Sequence, residues 1–326
     1  MIQNLTISNF KSIKDLNILC KKLNVFIGEP NSGKSNIIEA FALQSQNSIY
    51  PEINKQIFRY KTVGDLFYDF NIENPIEVKT EKIQTLIKYG IGEKGIIENI
   101  FRLLTTGDQR YNAEISHEGK TNNYGGSGET NVRYYEYKRL ESFSRSFLPH
   151  LSPPHGDNLP SLLLSKAEYK KWVSEFLKSK DLKLTLKPTE NEILASKFVD
   201  DEIYPYPYIA LSETIQRIIF YSVAVMSNKN SIILLDEPDT NTFPLYTKDI
   251  AERIALDESN QFFITTHNPY LLLSLIEKSK EIDINIYITQ MKNYKTVVNL
   301  LTTEQISEVL DLNSDVFFNF DNILSI

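Results

Sequence analysis

One octapeptide constrains this chain more than any other feature: Gly28-Glu29-Pro30-Asn31-Ser32-Gly33-Lys34-Ser35 fits the pattern G-x-x-x-x-G-K-S. Before it, Leu23-Asn24-Val25-Phe26-Ile27 reads as a short apolar strand. After it, residues 36–43 (NIIEAFAL) repeat apolar residues at helical spacing. A strand, a glycine loop and a helix in that order can cradle phosphates, because the loop turns backbone N–H groups inward and the helix N-terminus adds its dipole. Residues 28–36, Asn36 included, are therefore expected to bind a nucleotide. Lys34 supplies a point charge to the β- and γ-phosphates, and the Ser35 hydroxyl takes a position on Mg²⁺. With 12 glycines in 326 residues, a chance match to this pattern in this context is rare.

A second half-site follows far along the chain. Ile232-Ile233-Leu234-Leu235-Asp236-Glu237 ends an apolar strand in two carboxylates. In an open α/β sheet, ligands sit at the carboxyl ends of strands, so both acids are expected at the edge that holds the phosphate loop. Asp236 is the candidate metal ligand and Glu237 the group that polarises an attacking water. Ile264-Thr265-Thr266-His267 ends the next apolar strand. Of four histidines only His267 sits at such a strand end, where it could hold water and stabilise charge on a separating phosphoryl group. His117 and His150 read as loop residues, and His155 as a packing or capping residue.

The rest of the chain fits an α/β fold with an insertion. Alternating apolar residues predict strands over residues 2–7 and 16–19. After Pro207 the α/β texture returns, with helices predicted over 215–226, 245–256 and 270–276, a strand over 262–264, and a closing hairpin over 284–301. Between Pro51 and Pro205 aromatics and prolines thicken, residues 83–89 alternate like a strand, and 166–177 read as a helix. Gly125-Gly126-Ser127-Gly128 reads as a loop tip. The expected division is a discontinuous α/β domain over 1–50 and 206–326, interrupted by an inserted α+β lobe over 51–205. Hydrophobic residues make up 41% of the chain, which is enough for a core of that size. One cysteine, Cys20, excludes an internal disulfide framework and any multi-cysteine zinc site. The longest apolar run, residues 218–226, is too short to span a bilayer, and no signal core precedes it. A cytoplasmic protein with no membrane partner is expected.

Four segments in order, NFKSIKD (residues 9–15), GEPNSGKSN (28–36), LLDEPDTNTFP (234–244) and TTHNP (265–269), resemble motifs of the ABC-type ATPase heads of the SMC, RecF and OLD-like group. They look like its opening strand turn, Walker A, Walker B with D-loop, and switch histidine. The resemblance implies an ABC-type P-loop head with a mixed, largely parallel central sheet, ATP and Mg²⁺ as cofactors, and Lys34, Glu237 and His267 as catalytic residues. It also implies a head-to-tail dimer with two ATP molecules at the interface. There Leu211-Ser212-Glu213-Thr214-Ile215-Gln216-Arg217 stands for the L-S-x-G-x-x-R signature, so that Ser212 and Arg217 would complete the partner's site. Two positions depart from the pattern: Thr214 replaces the signature glycine, and Asn241 stands where a histidine is frequent. A Cβ at position 214 hinders close backbone approach to a γ-phosphate, which weighs against fast hydrolysis more than against binding.

An ATP-hydrolysing switch controlling a separately encoded effector such as a nuclease, in anti-phage defence, is the first expectation. The chain ends at Ile326, with no appended nuclease expected after the ATPase elements. A nucleotide-gated scaffold with little hydrolysis, a DNA-repair ATPase of the RecF/SMC type, and a small-molecule kinase are the alternatives. DNA stays open as a partner. Lys79, Lys82 and Lys88 alternate with apolar residues, and Tyr134, Tyr135, Tyr137, Lys138, Arg139 and Arg145 mix aromatics with charge, although a net charge of −7 favours a solvated face.

Overall fold

Strands with apolar residues at successive positions are stable only when both of their faces are covered. The computed structural model describes residues 1–45, 53–90, 100–127, 130–200 and 202–325, and it shows how that covering is achieved. The strands are β1 (Asn4–Phe10), β2 (Ile13–Leu19), β3 (Leu23–Ile27), β4 (Ile76–Lys79), β5 (Ile83–Tyr89), β6 (Phe101–Gly107), β7 (Arg110–Ile115) and β8 (Thr121–Ser127). They continue with β9 (Val132–Tyr135), β10 (Lys183–Lys187), β11 (Glu192–Val199), β12 (Glu202–Pro207), β13 (Ile232–Asp236), β14 (Gln261–Thr265), β15 (Ile284–Lys292) and β16 (Lys295–Leu300). The α-helices are α1 (Lys34–Ala42), α2 (Leu159–Ser165), α3 (Ala167–Lys178), α4 (Glu213–Ser227), α5 (Pro244–Leu256), α6 (Pro269–Lys278), α7 (Thr303–Leu312) and α8 (Phe320–Ser325).

The central sheet has the order β16-β15-β3-β14-β13-β9, with β3, β9, β13, β14 and β15 parallel and β16 antiparallel at one edge. Its side chains alternate between two cores. Val25, Ile233, Leu235 and Ile264 face the core shared with the later helices. Phe26, Leu234, Phe263 and Tyr287 face the core shared with α1 and a second sheet. That second sheet is antiparallel, with the order β2-β1-β4-β5-β6-β7-β8. Helix α1 packs against β1, β13 and β14, and its Phe41 ring meets Phe263 edge-on at 4.9 Å. Strands β10, β11 and β12 form a small antiparallel sheet of their own.

This arrangement crosses the expected domain division. The described residues between 51 and 205 are joined to the rest by sheet pairing: β4 pairs with β1 and carries the seven-stranded sheet onward, while β9 pairs in parallel with β13 at the edge of the central sheet. The physical reason is that β1 and β13 each leave a row of backbone groups unpaired on one side, and strands from the middle of the chain satisfy them. Gly125 and Gly126, expected at a loop tip, lie in β8 opposite Asn112 and Tyr111. A Cβ on Gly126 would sit 2.4 Å from the Arg110 carbonyl oxygen, so the glycine permits close strand approach. Gly128 lies outside the described residues. Tyr134 and Tyr135 are buried in β9 rather than presented to a nucleic acid. Arg139 and Arg145 donate to the carbonyls of Ile209 and Thr189.

One buried side chain ties the two sheets together. Gln261, at the start of β14, accepts from Ile2 N–H and donates to the carbonyls of Ile2 and Lys21, each at 2.8 Å. Replacing it by leucine strips all three bonds and leaves those backbone groups unpaired. Gln261→Leu is expected to lower the unfolding free energy by about 2–4 kcal/mol, measured by urea denaturation.

Candidate functional site

Parallel register brings the two halves of the site together. Phe26 of β3 pairs with Thr265 of β14, and Thr265 pairs with Asp236 of β13. The segments that follow these strands therefore leave the sheet at one edge: loop 28–35, the turn at Glu237 and the turn at His267. Leu235 pairs with Tyr135 of β9, which puts Glu136 at the same level.

The phosphate loop has the backbone its sequence requires. Gly28 has φ 150° and Gly33 φ 99°. A Cβ on Gly28 would lie 2.2 Å from the Thr289 carbonyl oxygen, and one on Gly33 would lie 1.9 Å from Thr296 Oγ1. Only glycine fits where the loop presses on β15 and β16. Lys34 Nζ donates to the carbonyls of Gly28 and Glu29 at 2.8 Å each, which holds the ammonium inside the loop's curve. Burial pushes this lysine down to about 8, against the carboxylates of Glu237, Asp236 and Glu29, which favour its charge. An anion in the loop would favour the charged form further. The opening NFKS turn braces the loop from outside. Asn36 Nδ2 donates to Ser12 Oγ at 2.7 Å, Ser12 Oγ lies 2.6 Å from Thr296 Oγ1, and Lys11 pairs with Glu39 of α1.

Ser35 and Asp236 meet directly: Ser35 Oγ donates to Asp236 Oδ1 at 3.1 Å, and Thr265 Oγ1 donates to the same oxygen at 2.5 Å. Burial raises the Asp236 carboxyl above its usual range, while these two hydroxyls oppose the rise. A hydroxyl and a carboxylate at the mouth of an anion loop are hard oxygen donors, the set that suits Mg²⁺ bridged to phosphate. The loop, Lys34, Ser35 and Asp236 thus fit a Mg²⁺–nucleotide.

Glu237 adopts φ 46°, held by its N–H, which donates to the carbonyl and hydroxyl oxygens of Thr265 at 3.2 and 3.0 Å. Its Oε1 lies 2.9 Å from His267 Nε2. Burial, and then the Lys34 charge, lower the His267 pKa, so the ring is neutral near pH 7 and donates Nε2–H to the carboxylate. Ser212 caps α4, accepting from Ile215 N–H at 3.4 Å. Arg217 bonds Glu213 at 2.7 Å and lies 4.7 Å from the centre of the Tyr137 ring. Among the described residues, neither side chain hydrogen-bonds to the phosphate loop of its own chain.

Two acids at this edge escaped the sequence reading. Glu136 follows β9, accepts from Tyr134 Oη at 3.2 Å, and has its carboxyl raised by burial and then by the Asp236 charge. Strand β9 is only four residues long and includes Arg133, so no apolar run marks Glu136 as a strand-end acid. Asp239 is buried against Thr266. It lies within the 234–244 segment, where no local pattern signals its burial.

The crowded glycine gives a direct test of the loop. Gly33→Ala is expected to weaken nucleotide affinity at least about tenfold, measured by titration with a fluorescent ATP analogue, because the loop must shift off Thr296.

Solved structures share this architecture. A crystal structure of the SMC head bound to the C-terminal winged-helix domain of ScpA aligns with a TM-score of 0.56 at 17% identity, covering 94% of this chain and 99% of that one. The Smc head domain with an extended coiled coil, bound to the C-terminal domain of ScpA from Pyrococcus furiosus, aligns at 0.52 and 16%, covering 95% and 98%. The fold is that of the ABC-type ATPase head. Among curated proteins, the chain is 23% identical to Endonuclease GajA of Bacillus cereus over 270 residues, 78% of this chain. It is 29% identical to an ATP/GTP phosphatase of Helicobacter pylori over 140 residues, 38% of this chain. The chain spans 37% of the length of each of these relatives. No helix among the described residues is long and apolar enough to cross a membrane. Residues 23–274, which carry the phosphate loop, both strand-end acids and His267, match the family described as "AAA domain, putative AbiEii toxin, Type IV TA system", and the chain belongs to that family.

Proposed function

We propose that this protein is an ATP-binding, Mg²⁺-dependent ATP-hydrolysing switch that closes as a head-to-tail dimer and controls a partner effector in anti-phage defence. The observation that carries the hydrolytic reading is the Glu237–His267 contact of 2.9 Å beside the Ser35–Asp236 pair, all on the strand-end edge that holds the phosphate loop. Loop amides and Lys34 would hold the phosphates. Ser35 and Asp236 would hold Mg²⁺, which supplies charge neutralisation when bound. Glu237 orients a water and takes its proton, and His267 steadies that carboxylate through its single N–H.

Closure is supported by what Ser212 does at home. It is exposed and N-caps a 15-residue helix, so the helix terminus is available to a phosphate on a second copy. The fold shared with SMC heads is consistent with this reading, and the likeness to Endonuclease GajA supports a nuclease as the effector. Thr214 in the first turn of α4 favours a second reading, a nucleotide-gated scaffold in which ATP closes the dimer and turnover is slow.

Glu237→Gln is expected to slow hydrolysis by roughly 10²–10⁴ while ATP affinity is retained; unchanged turnover would remove Glu237 as the base. In light scattering, that variant is expected to double its mass with ATP and Mg²⁺, and Ser212→Arg to abolish the doubling. Tight ATP occupancy by the wild-type protein with no phosphate release would select the scaffold.

A further inference from the structure

The two residues expected to act on water come from different loops, Glu237 after β13 and His267 after β14. Their contact is more than a third exposed on each side, so water competes for it and it cannot fix its own geometry. A buried contact links the same two loops one layer below. Asp239 is 6% exposed and Thr266 fully buried, and Thr266 Oγ1 donates to Asp239 Oδ1 at 3.0 Å and Oδ2 at 3.1 Å. The same hydroxyl accepts from Asn268 N–H at 2.9 Å. Thus both neighbours of His267 are held from a single side chain on the loop that carries Glu237.

We propose that Asp239 is a positioning residue for water activation, setting the Glu237–His267 geometry by gripping Thr266. The inference rests on the hydrolytic reading above and adds a residue to it. The chemistry of the pair explains why an acid stands there. In its ionised form the carboxylate only accepts, so the Thr266 hydroxyl then donates to it and turns a lone pair toward Asn268 N–H. The backbone on either side of His267 is thereby fixed in one arrangement.

The acid is costly to keep. Among the described residues no lysine, arginine or histidine forms an ion pair with Asp239, and burial holds its carboxyl up at about 7, with the Glu237 charge adding to the rise. A residue serving packing alone would do better as a neutral side chain. The grip also has a place from which it can be disturbed, because Asp239, Glu237, Thr240, His267 and Asn268 line an open cleft of about 420 Å³ between the two loops.

The test uses the full chain in single-turnover ATP hydrolysis with Mg²⁺, alongside titration with a fluorescent ATP analogue. Asp239→Ala and Thr266→Val are each expected to slow the hydrolytic step about 10- to 100-fold, with ATP affinity within about twofold of wild type. Asp239→Ala combined with Thr266→Val is expected to be no slower than the worse single variant, since both break one contact. Thr266→Ser keeps the hydroxyl and is expected to restore most of the rate that Thr266→Val loses, which keeps the test intact should Asp239→Ala fold poorly. The inference is overturned if Asp239→Ala turns over like wild type, if affinity falls as far as rate, if the two losses multiply, or if Thr266→Ser is as slow as Thr266→Val. A wild-type protein that binds ATP without turnover would take down the hydrolytic reading and this inference with it. An active wild type with unaffected variants would take down the inference alone.

Discussion

Everything at the candidate site depends on one row of parallel pairing across the central sheet, in which Phe26, Thr265 and Asp236 stand side by side. Side-chain direction in a strand has a period of two, so a slip of one residue in β13 would turn Asp236 into a core and carry Leu235 to the face where Asp236 now meets Ser35. The apolar residues that alternate between the two cores prevent that slip. Leu234 and Phe263 are committed to the α1 side, and Leu235 and Ile264 to the other. The burial that stabilises the fold is therefore the same force that fixes the register of the acids.

The threonines of the row convert register into chemistry. Thr265 Oγ1 serves Asp236 and the Glu237 N–H at once, and Thr266 Oγ1 serves Asp239 and the Asn268 N–H. Each hydroxyl is both donor and acceptor, so two adjacent threonines on one strand end orient three acids on the neighbouring loop. A buried hydroxyl has one satisfied arrangement here, and leaving it unmade costs more than making it gains. This makes the edge rigid while the Glu237–His267 contact above it remains open to solvent.

The phosphate loop is rigid for a different reason. Gly28 and Gly33 let it press on β15 and β16, and Ser12 ties the chain's opening turn to both Asn36 and Thr296. The NFKS turn is thus a brace on the helix that follows the loop. Because β15 and β16 come from the last sixth of the chain, the loop's shape depends on residues about 260 positions away.

The local parts are legible along the chain. Glycine spacing required a phosphate loop, apolar runs required covered strands, and strand-end position singled out Asp236, Glu237 and His267, because these signals rest on periodicity and backbone sterics within a few residues. Which strands pair is settled only by packing across the whole chain. The middle of the chain gives β4 to β1 and β9 to β13, since any strand with suitable apolar alternation can satisfy an open edge and sequence does not say which one will. Glu136 and Asp239 became visible by the same route. An acid is ordinary in a turn, and it becomes informative only when folding removes its water and places it against a named hydroxyl or a second acid.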